Sequence, residues 1–196
     1  MHTVPLIATN VAQTFMRQFL KPRDLCIDAT AGNGYDTVFL CRQVRDHGQV
    51  LAIDIQASAL EATARRLDKE AIVSGFQLVQ GDHSQLNSLV PEEWKERTRV
   101  ICFNLGFLPR GDKKLTTQSA TTIPALQSAL PLLAPGGLLC VTAYPGHEEG
   151  AQETKAVDTL FSNLSGESHT VHRFSTLNTT RPAPVVYAVS RLPTNA

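Results

Sequence analysis

Five short stretches of this chain hold side chains that could bind a ligand or do chemistry, and each follows directly on an apolar run. The first is Asp28-Ala29-Thr30-Ala31-Gly32-Asn33-Gly34-Tyr35-Asp36-Thr37. Its glycines let backbone N–H groups come close to a ligand, because no Cβ holds it off, and acids flank the turn at Asp28 and Asp36. The second is Asp54 with Gln56, where one carboxylate can accept from both hydroxyls of a ribose. The third is Asp82-His83, an acid suited to an adenine amino group beside a ring that can stack or donate. The fourth is Asn104-Leu105-Gly106-Phe107. The fifth is Tyr144-Pro145-Gly146-His147, whose imidazole is of the side-chain type that titrates nearest neutral pH and is therefore a candidate general base.

Two ligand readings compete for the glycine-rich turn. A dinucleotide site has the spacing G-x-G-x-x-G, with the third glycine packing the helix and a pyrophosphate at its N-terminus. Here Thr37 stands at the third position, and flanking carboxylates disfavour a pyrophosphate. A ligand with an amine and ribose hydroxyls fits better, which points to S-adenosyl-L-methionine. Ala31, Gly32, Asn33, Gly34, Asp36 and Thr37, together with Asp54, Gln56, Asp82 and His83, are the cofactor-binding candidates, with Asn33 and Asp36 at the ammonium end. No metal is expected, since Cys26, Cys41, Cys102 and Cys140 lie far apart and form no C-x-x-C pair. Their apolar surroundings make them buried thiols rather than nucleophiles.

The elements that would position these residues can be read from apolar periodicity. Residues 3–20 form an amphipathic helix with Val4, Ile7, Val11, Phe15 and Phe19 on one face. Strands are expected at 25–27, 49–54, 76–79, 99–104 and 138–143. Helices are expected near 38–44, at 57–69 (Leu60, Ala64 and Leu67 inward), 118–133 and 153–164, with a short helix or loop over 84–97 in which Trp94 packs. The tail reads as strands 169–178 and 184–191 joined across Arg181-Pro182-Ala183-Pro184. Strands alternating with helices argue for a parallel sheet, and the terminal pair for an antiparallel edge. In such a sheet the carboxyl ends of the strands form the ligand crevice, and all five stretches fall there.

With 196 residues, 42% of them hydrophobic, one α/β domain over 1–196 is expected. The 18 basic and 18 acidic residues balance. A chain that grips nucleic acid mainly through phosphates is usually basic, so an RNA partner would be held by a local patch or by reading one exposed nucleotide. Arg110, Lys113 and Lys114 form one such basic cluster beside the Asn104 turn. The chain has no charged-then-apolar leader and no apolar run of membrane-spanning length, so no membrane partner and a cytoplasmic location are expected.

Two resemblances sharpen this reading. Asn104-Leu105-Gly106-Phe107 resembles the (Asn/Asp)-Pro-Pro-(Tyr/Phe) signature of amine-directed methyltransferases, with Leu-Gly in place of Pro-Pro. In that family the side-chain oxygen and the next carbonyl accept hydrogens from the target nitrogen, and the aromatic packs on the substrate base. Along nearly its whole length the chain also resembles the bacterial tRNA wobble-uridine methyltransferases that convert 5-aminomethyluridine to 5-methylaminomethyluridine, long labelled rRNA methylases. The matching segments are residues 28–37, Asp54-Ile55-Gln56, Asp82-His83, Phe103 to Pro109, Thr121-Thr122, and Tyr144-Pro145-Gly146-His147-Glu148-Glu149-Gly150. Gly150 follows two acids where a glycine at 149 would also fit. The resemblance implies a class I methyltransferase, Rossmann-like fold with a mostly parallel seven-stranded sheet, helices on both faces and an antiparallel edge. It implies S-adenosyl-L-methionine as methyl donor and the tRNA anticodon stem-loop as partner. Asn104, Tyr144 and His147 are then the catalytic candidates, and Leu105, Gly106, Phe107, Arg110, Lys113 and Gly146 the substrate-binding ones. A methyltransferase of a small-molecule amine shares every cofactor residue and is the main alternative; a non-catalytic binding protein is the other.

Overall fold

The computed structural model describes residues 7–45, 47–106 and 117–193. In chain order these form α1 (Ala8–Phe19), β1 (Leu25–Asp28), α2 (Tyr35–Val44), β2 (Gln49–Asp54), α3 (Ala57–Lys69), β3 (Phe76–Gln80), a short α4 (Leu86–Leu89) and β4 (Thr98–Asn104). There follow α5 (Ser119–Ala129), β5 (Leu133–Ala143), α6 (Glu148–Ser162), β6 (His169–Ser175) and β7 (Val185–Arg191). The strands hydrogen-bond into one sheet in the order β3-β2-β1-β4-β5-β7-β6. The first five run parallel, and β7 pairs antiparallel with both β5 and β6. The central strands β1, β2 and β4 are buried almost throughout, which is why they read as unbroken apolar runs.

Apolar side chains fill both faces of the sheet. On one, α1, α2 and α3 cover Cys26, Val50, Val100 and Cys140. On the other, α5, α6 and the segment carrying Leu86 and Trp94 cover Ile27, Leu51, Ile101, Val141 and Tyr187. The four cysteines are buried free thiols. Trp94 is buried as packing. Among the described residues no helix is long and apolar enough to cross a membrane.

Several element boundaries differ from expectation, each for a local reason. The first helix buries Ala12 and Met16, with Val11, Phe15 and Phe19 only partly covered and Ile7 exposed. Helix α3 turns Ala59, Thr63 and Leu67 inward rather than Leu60 and Ala64, because Thr63 is drawn under the glycine-rich turn, its hydroxyl donating to the Gly32 carbonyl at 3.2 Å. Helix α5 stops at Ala129, and a 3-10 turn containing Pro131 leads into a β5 that begins at Leu133 rather than 138. Pro135-Gly136-Gly137 is accommodated inside that strand by a register shift against β4 between Thr98 and Val100. Helix α6 begins at Glu148 rather than Glu153, because the His147 ring caps it by accepting from Gly150 N–H. β6 ends at Ser175, three residues earlier than expected.

Candidate active site

The chain reverses direction across the sheet between β1 and β4, so the loops after these two strands part and leave a crevice at their carboxyl ends. The turn after β1 is clamped from both sides: Ala29 N–H donates to Cys102 O and Ala31 N–H to Ile53 O, each at 2.9 Å. Gly34, at φ +77°, caps α2, and a Cβ there would lie 2.8 Å from Thr63 Cα. Glycine is therefore required twice over, for the left-handed backbone and for the approach of α3. Arg66 on α3 completes the clamp, its Nε donating to Asn33 O at 2.5 Å while its guanidinium lies over the Tyr35 ring.

Asp54 ends β2 and holds two amides, Gly32 N–H on Oδ2 and Gln56 N–H on Oδ1, both at 2.9 Å. A carboxylate has about four acceptor positions, so each oxygen keeps one for a ligand. Ile55 beside it is 54% exposed, an apolar surface at the crevice edge. After β3, Asp82 caps a 3-10 turn by accepting from Ser84 N–H at 2.8 Å. The His83 ring meets Phe103 edge-on at 5.9 Å, and its Nε2 is buried with no hydrogen-bond partner among the described residues. Burial pushes the His83 imidazole below its ordinary range.

Two carboxylates lie deeper. Asp28 accepts from Thr37 hydroxyl at 2.6 Å and Thr30 N–H at 3.2 Å. Burial, and then repulsion from Asp36, raise its carboxyl to about 7. Asp36 is also raised by burial, offset by hydrogen bonding from Gln13 and Asn104; Gln13, on α1, donates at 2.9 Å.

The Asn104-Leu105-Gly106 turn leaves β4 with its three amides engaged. Asn104 N–H donates to Thr30 hydroxyl at 2.7 Å, Leu105 N–H to Thr142 O at 2.8 Å and Gly106 N–H to Thr117 hydroxyl at 2.7 Å. The Asn104 side chain is exposed in the crevice and interacts with both Asp36 and Tyr144. Tyr144 is also hydrogen-bonded to Thr9 of α1, and burial raises its phenol. His147 Nδ1 accepts from Gly150 N–H at 3.1 Å, with a Glu149 oxygen 3.2 Å from the same nitrogen. A ring nitrogen that accepts from an amide carries no proton, so capping and protonation compete for Nδ1. As a helix cap, this nitrogen is not available as a base without uncapping α6.

The structure thus brings Gly32, Asn33, Gly34, Asp36, Asp54, Gln56, Asp82, His83, Asn104, Gly106, Tyr144, Gly146 and His147 to one end of the sheet. Three candidates lie beneath the crevice surface. Thr37 is fully buried with its hydroxyl spent on Asp28, Leu105 points into the core, and Ala31 is buried with its amide in the clamp. Thr37 is therefore an internal strut, and Leu105 and Ala31 have only backbone to offer. Phe107, Arg110 and Lys113 lie outside the described residues. Sequence reasoning passed over Thr9, Gln13, Thr117 and Glu153, and gave Thr30 and Ile55 no role of their own within the segments that contain them. Gln13 alone carried a signal, as a polar residue beside the buried Ala12 of an amphipathic helix. Among the described residues no three His, Cys, Asp or Glu side chains gather as a metal-holding group.

A seven-stranded sheet with this order, an antiparallel last pair and an acid-rimmed crevice at its switch point is the class I S-adenosylmethionine-dependent methyltransferase fold. The chain belongs to the family described as “Putative rRNA methylase”, whose model matches residues 50–190. It is 38% identical over 191 residues to the Arabidopsis thaliana protein named tRNA (mnm(5)s(2)U34)-methyltransferase, chloroplastic, covering 91% of this chain and 67% of that one. A Clostridium thermocellum crystal structure under the same rRNA-methylase description superimposes with a TM-score of 0.91 at 28% identity, covering 97% of this chain and all of that one. A Streptococcus mutans protein described as a methyltransferase, solved in complex with SAH, superimposes with a TM-score of 0.84 at 31% identity, covering 96% of this chain and 100% of that one.

Proposed function

We propose that this methyltransferase methylates the exocyclic amine of 5-aminomethyluridine at position 34 of tRNA, giving 5-methylaminomethyluridine. The observation that carries the target atom is the state of the Asn104 turn. Thr30, Thr142 and Thr117 take up its three amide hydrogens, so the turn offers a ligand acceptors: the Asn104 side-chain oxygen and backbone carbonyls. With the backbone amides spent and the Asn104 NH2 engaged with Asp36, the acceptors left at the turn suit a group that brings N–H hydrogens, namely an amine. The tRNA substrate is supported by the 38% identical relative and its name.

S-adenosyl-L-methionine, when bound, supplies the methyl group. The residues present fit it: Asp54 has spare acceptors for two ribose hydroxyls, Ile55 is an exposed apolar face that would take the adenine, Asp82 would accept from the adenine amino group, and Asp36 with Asn33 would meet the ammonium. Asn104 Oδ1 and an adjoining carbonyl accept both hydrogens of the neutral amine and aim its lone pair at the methyl carbon. With the cofactor bound, an N–C bond would form as its S–C bond broke, and the product ammonium could then give its extra proton to water. Holding the amine in line supplies most of the acceleration, since orientation is worth several kcal/mol. His147 contributes as the cap of α6 beside Tyr144 rather than as a base.

The test is to incubate the purified protein with labelled S-adenosyl-L-methionine and tRNA lacking the methylated wobble base, then to identify nucleosides by mass spectrometry. Label in 5-methylaminomethyluridine is expected. Label in another nucleoside, or none in tRNA with a small amine methylated instead, overturns the reading.

A further inference from the structure

Glu153 lies on the inner face of α6 and is 2% exposed. A buried carboxylate is costly unless its lone pairs are used, and here two hydroxyls use them. Thr122 Oγ1 donates to Oε1 at 2.6 Å and Thr117 Oγ1 to Oε2 at 2.9 Å. A hydroxyl has one proton. Because Thr117 gives its proton to Glu153, its oxygen faces Gly106 N–H as an acceptor, at 2.7 Å. Thr117 N–H returns a bond to Gly106 O at 3.2 Å. Gly106 is therefore held at both backbone groups by one residue, and that residue is held by Glu153.

The other two amides of the turn are fixed by the sheet end itself, Asn104 to the turn after β1 and Leu105 to β5. Gly106 has left the sheet, and its anchor runs instead to α6. We propose that Glu153 is a positioning residue for methyl transfer: acting through Thr117, it fixes the orientation in which the Asn104-Leu105-Gly106 turn presents its acceptors to the amine. This rests on the function proposed above. Thr122, within the Thr121-Thr122 segment, is the second point that keeps the carboxylate in place, which ties α5 to the same anchor.

The test uses the full chain with Thr117→Val, which keeps the shape and removes the hydroxyl, Thr117→Ser, which restores it, Glu153→Ala, and the Val/Ala double variant. Steady-state kinetics on tRNA are read alongside the backbone amide NMR signal of Gly106. Thr117→Val and Glu153→Ala are expected to lower kcat about ten- to hundredfold with KM for S-adenosyl-L-methionine within about twofold. Thr117→Ser should stay within about threefold of the parent, and the double variant should cost no more than about twofold beyond the worse single one, since both act on one path. The Gly106 signal should shift in Thr117→Val and Glu153→Ala and stay in place in Thr117→Ser. Thr117→Val at parental kcat, Thr117→Ser falling as far as Thr117→Val, multiplicative losses in the double variant, or an unmoved Gly106 signal in Thr117→Val would each overturn the proposal. If Glu153→Ala melts below the assay temperature, the near-isosteric Thr117 pair decides alone. A Gly106 signal that moves as expected in the variants, with a parent protein that methylates no tRNA, overturns the proposed substrate and upholds the anchor.

Discussion

On the function proposed above, Asn104 and Asp54 divide the work of the crevice, and truncating each should show it. Asn104→Ala removes the side-chain acceptor that orients the amine, so kcat should fall by about a hundredfold or more with cofactor affinity nearly unchanged in calorimetry. Asp54→Ala removes the ribose acceptor and frees the Gly32 amide it clamps, so cofactor affinity should fall about ten- to hundredfold, the worth of one charged hydrogen bond. Equal cofactor affinities in the two variants would contradict the division. Asp28 makes a different kind of prediction. Its carboxyl is raised to about 7 by burial and by Asp36, so the folded chain keeps a proton that the unfolded chain releases near the ordinary carboxylate value. Between about pH 4 and 7 this group makes stability fall as pH rises, by up to about 1.4 kcal/mol per pH unit, and above 7 its effect levels off. Asp28→Asn removes the linked proton. Urea unfolding at about pH 5.5, 6.5 and 7.5 should show a flatter pH dependence in the variant than in the parent; equal slopes would refute the assignment.

Helix α6 shows what an element needs beyond its own propensities. It starts where His147 caps it, and Gly150 makes that start possible: a Cβ at 150 would lie 2.1 Å from Tyr144 O and 2.9 Å from His147 Nε2. Gly150→Ala should therefore cost about 1–3 kcal/mol, as overpacking does, while His147→Ala should cost about 1 kcal/mol, as a lost cap does. Thermal unfolding of the two variants checks the order. None of this was visible in the pattern of apolar residues, which placed the helix start at Glu153, because a histidine ring is an unusual cap and two glutamates ahead of a glycine look like loop. The central strands β1, β2 and β4 were legible for the opposite reason: they are buried, apolar on both sides, and end abruptly at Asp28, Asp54 and Asn104. The same contrast holds within the site. Asp54, Asp82 and Asn104 announce themselves at strand ends, whereas Glu153 reads as one more surface charge on a helix until Thr117 and Thr122, more than 30 positions away, are seen to enclose it.

For the molecule as a whole, a balance of 18 basic and 18 acidic residues limits how the proposed tRNA substrate can be held. Few phosphate contacts mean few released counterions, so the salt dependence should be shallow. KM for tRNA is expected to rise less than about tenfold between about 50 and 200 mM salt, where a protein with 6–10 phosphate contacts loses about a thousandfold or more; a loss of that larger size would show an extended phosphate grip. The placement of α1 has a consequence of another sort. Ala12 and Met16 pack in one cluster with Cys140, Val186 and Ala188, and Gln13 reaches from the same helix to Asp36. The earliest described helix to leave the ribosome thus clusters partly with β1 and α2, made soon after it, and partly with β5 and β7, made late, so its packing surface is complete only near the end of translation. The α1 wall of the crevice is therefore fully buttressed only once β7 has been made, and a chain cut short before β7 keeps every glycine-rich and acidic residue while losing part of the support behind them.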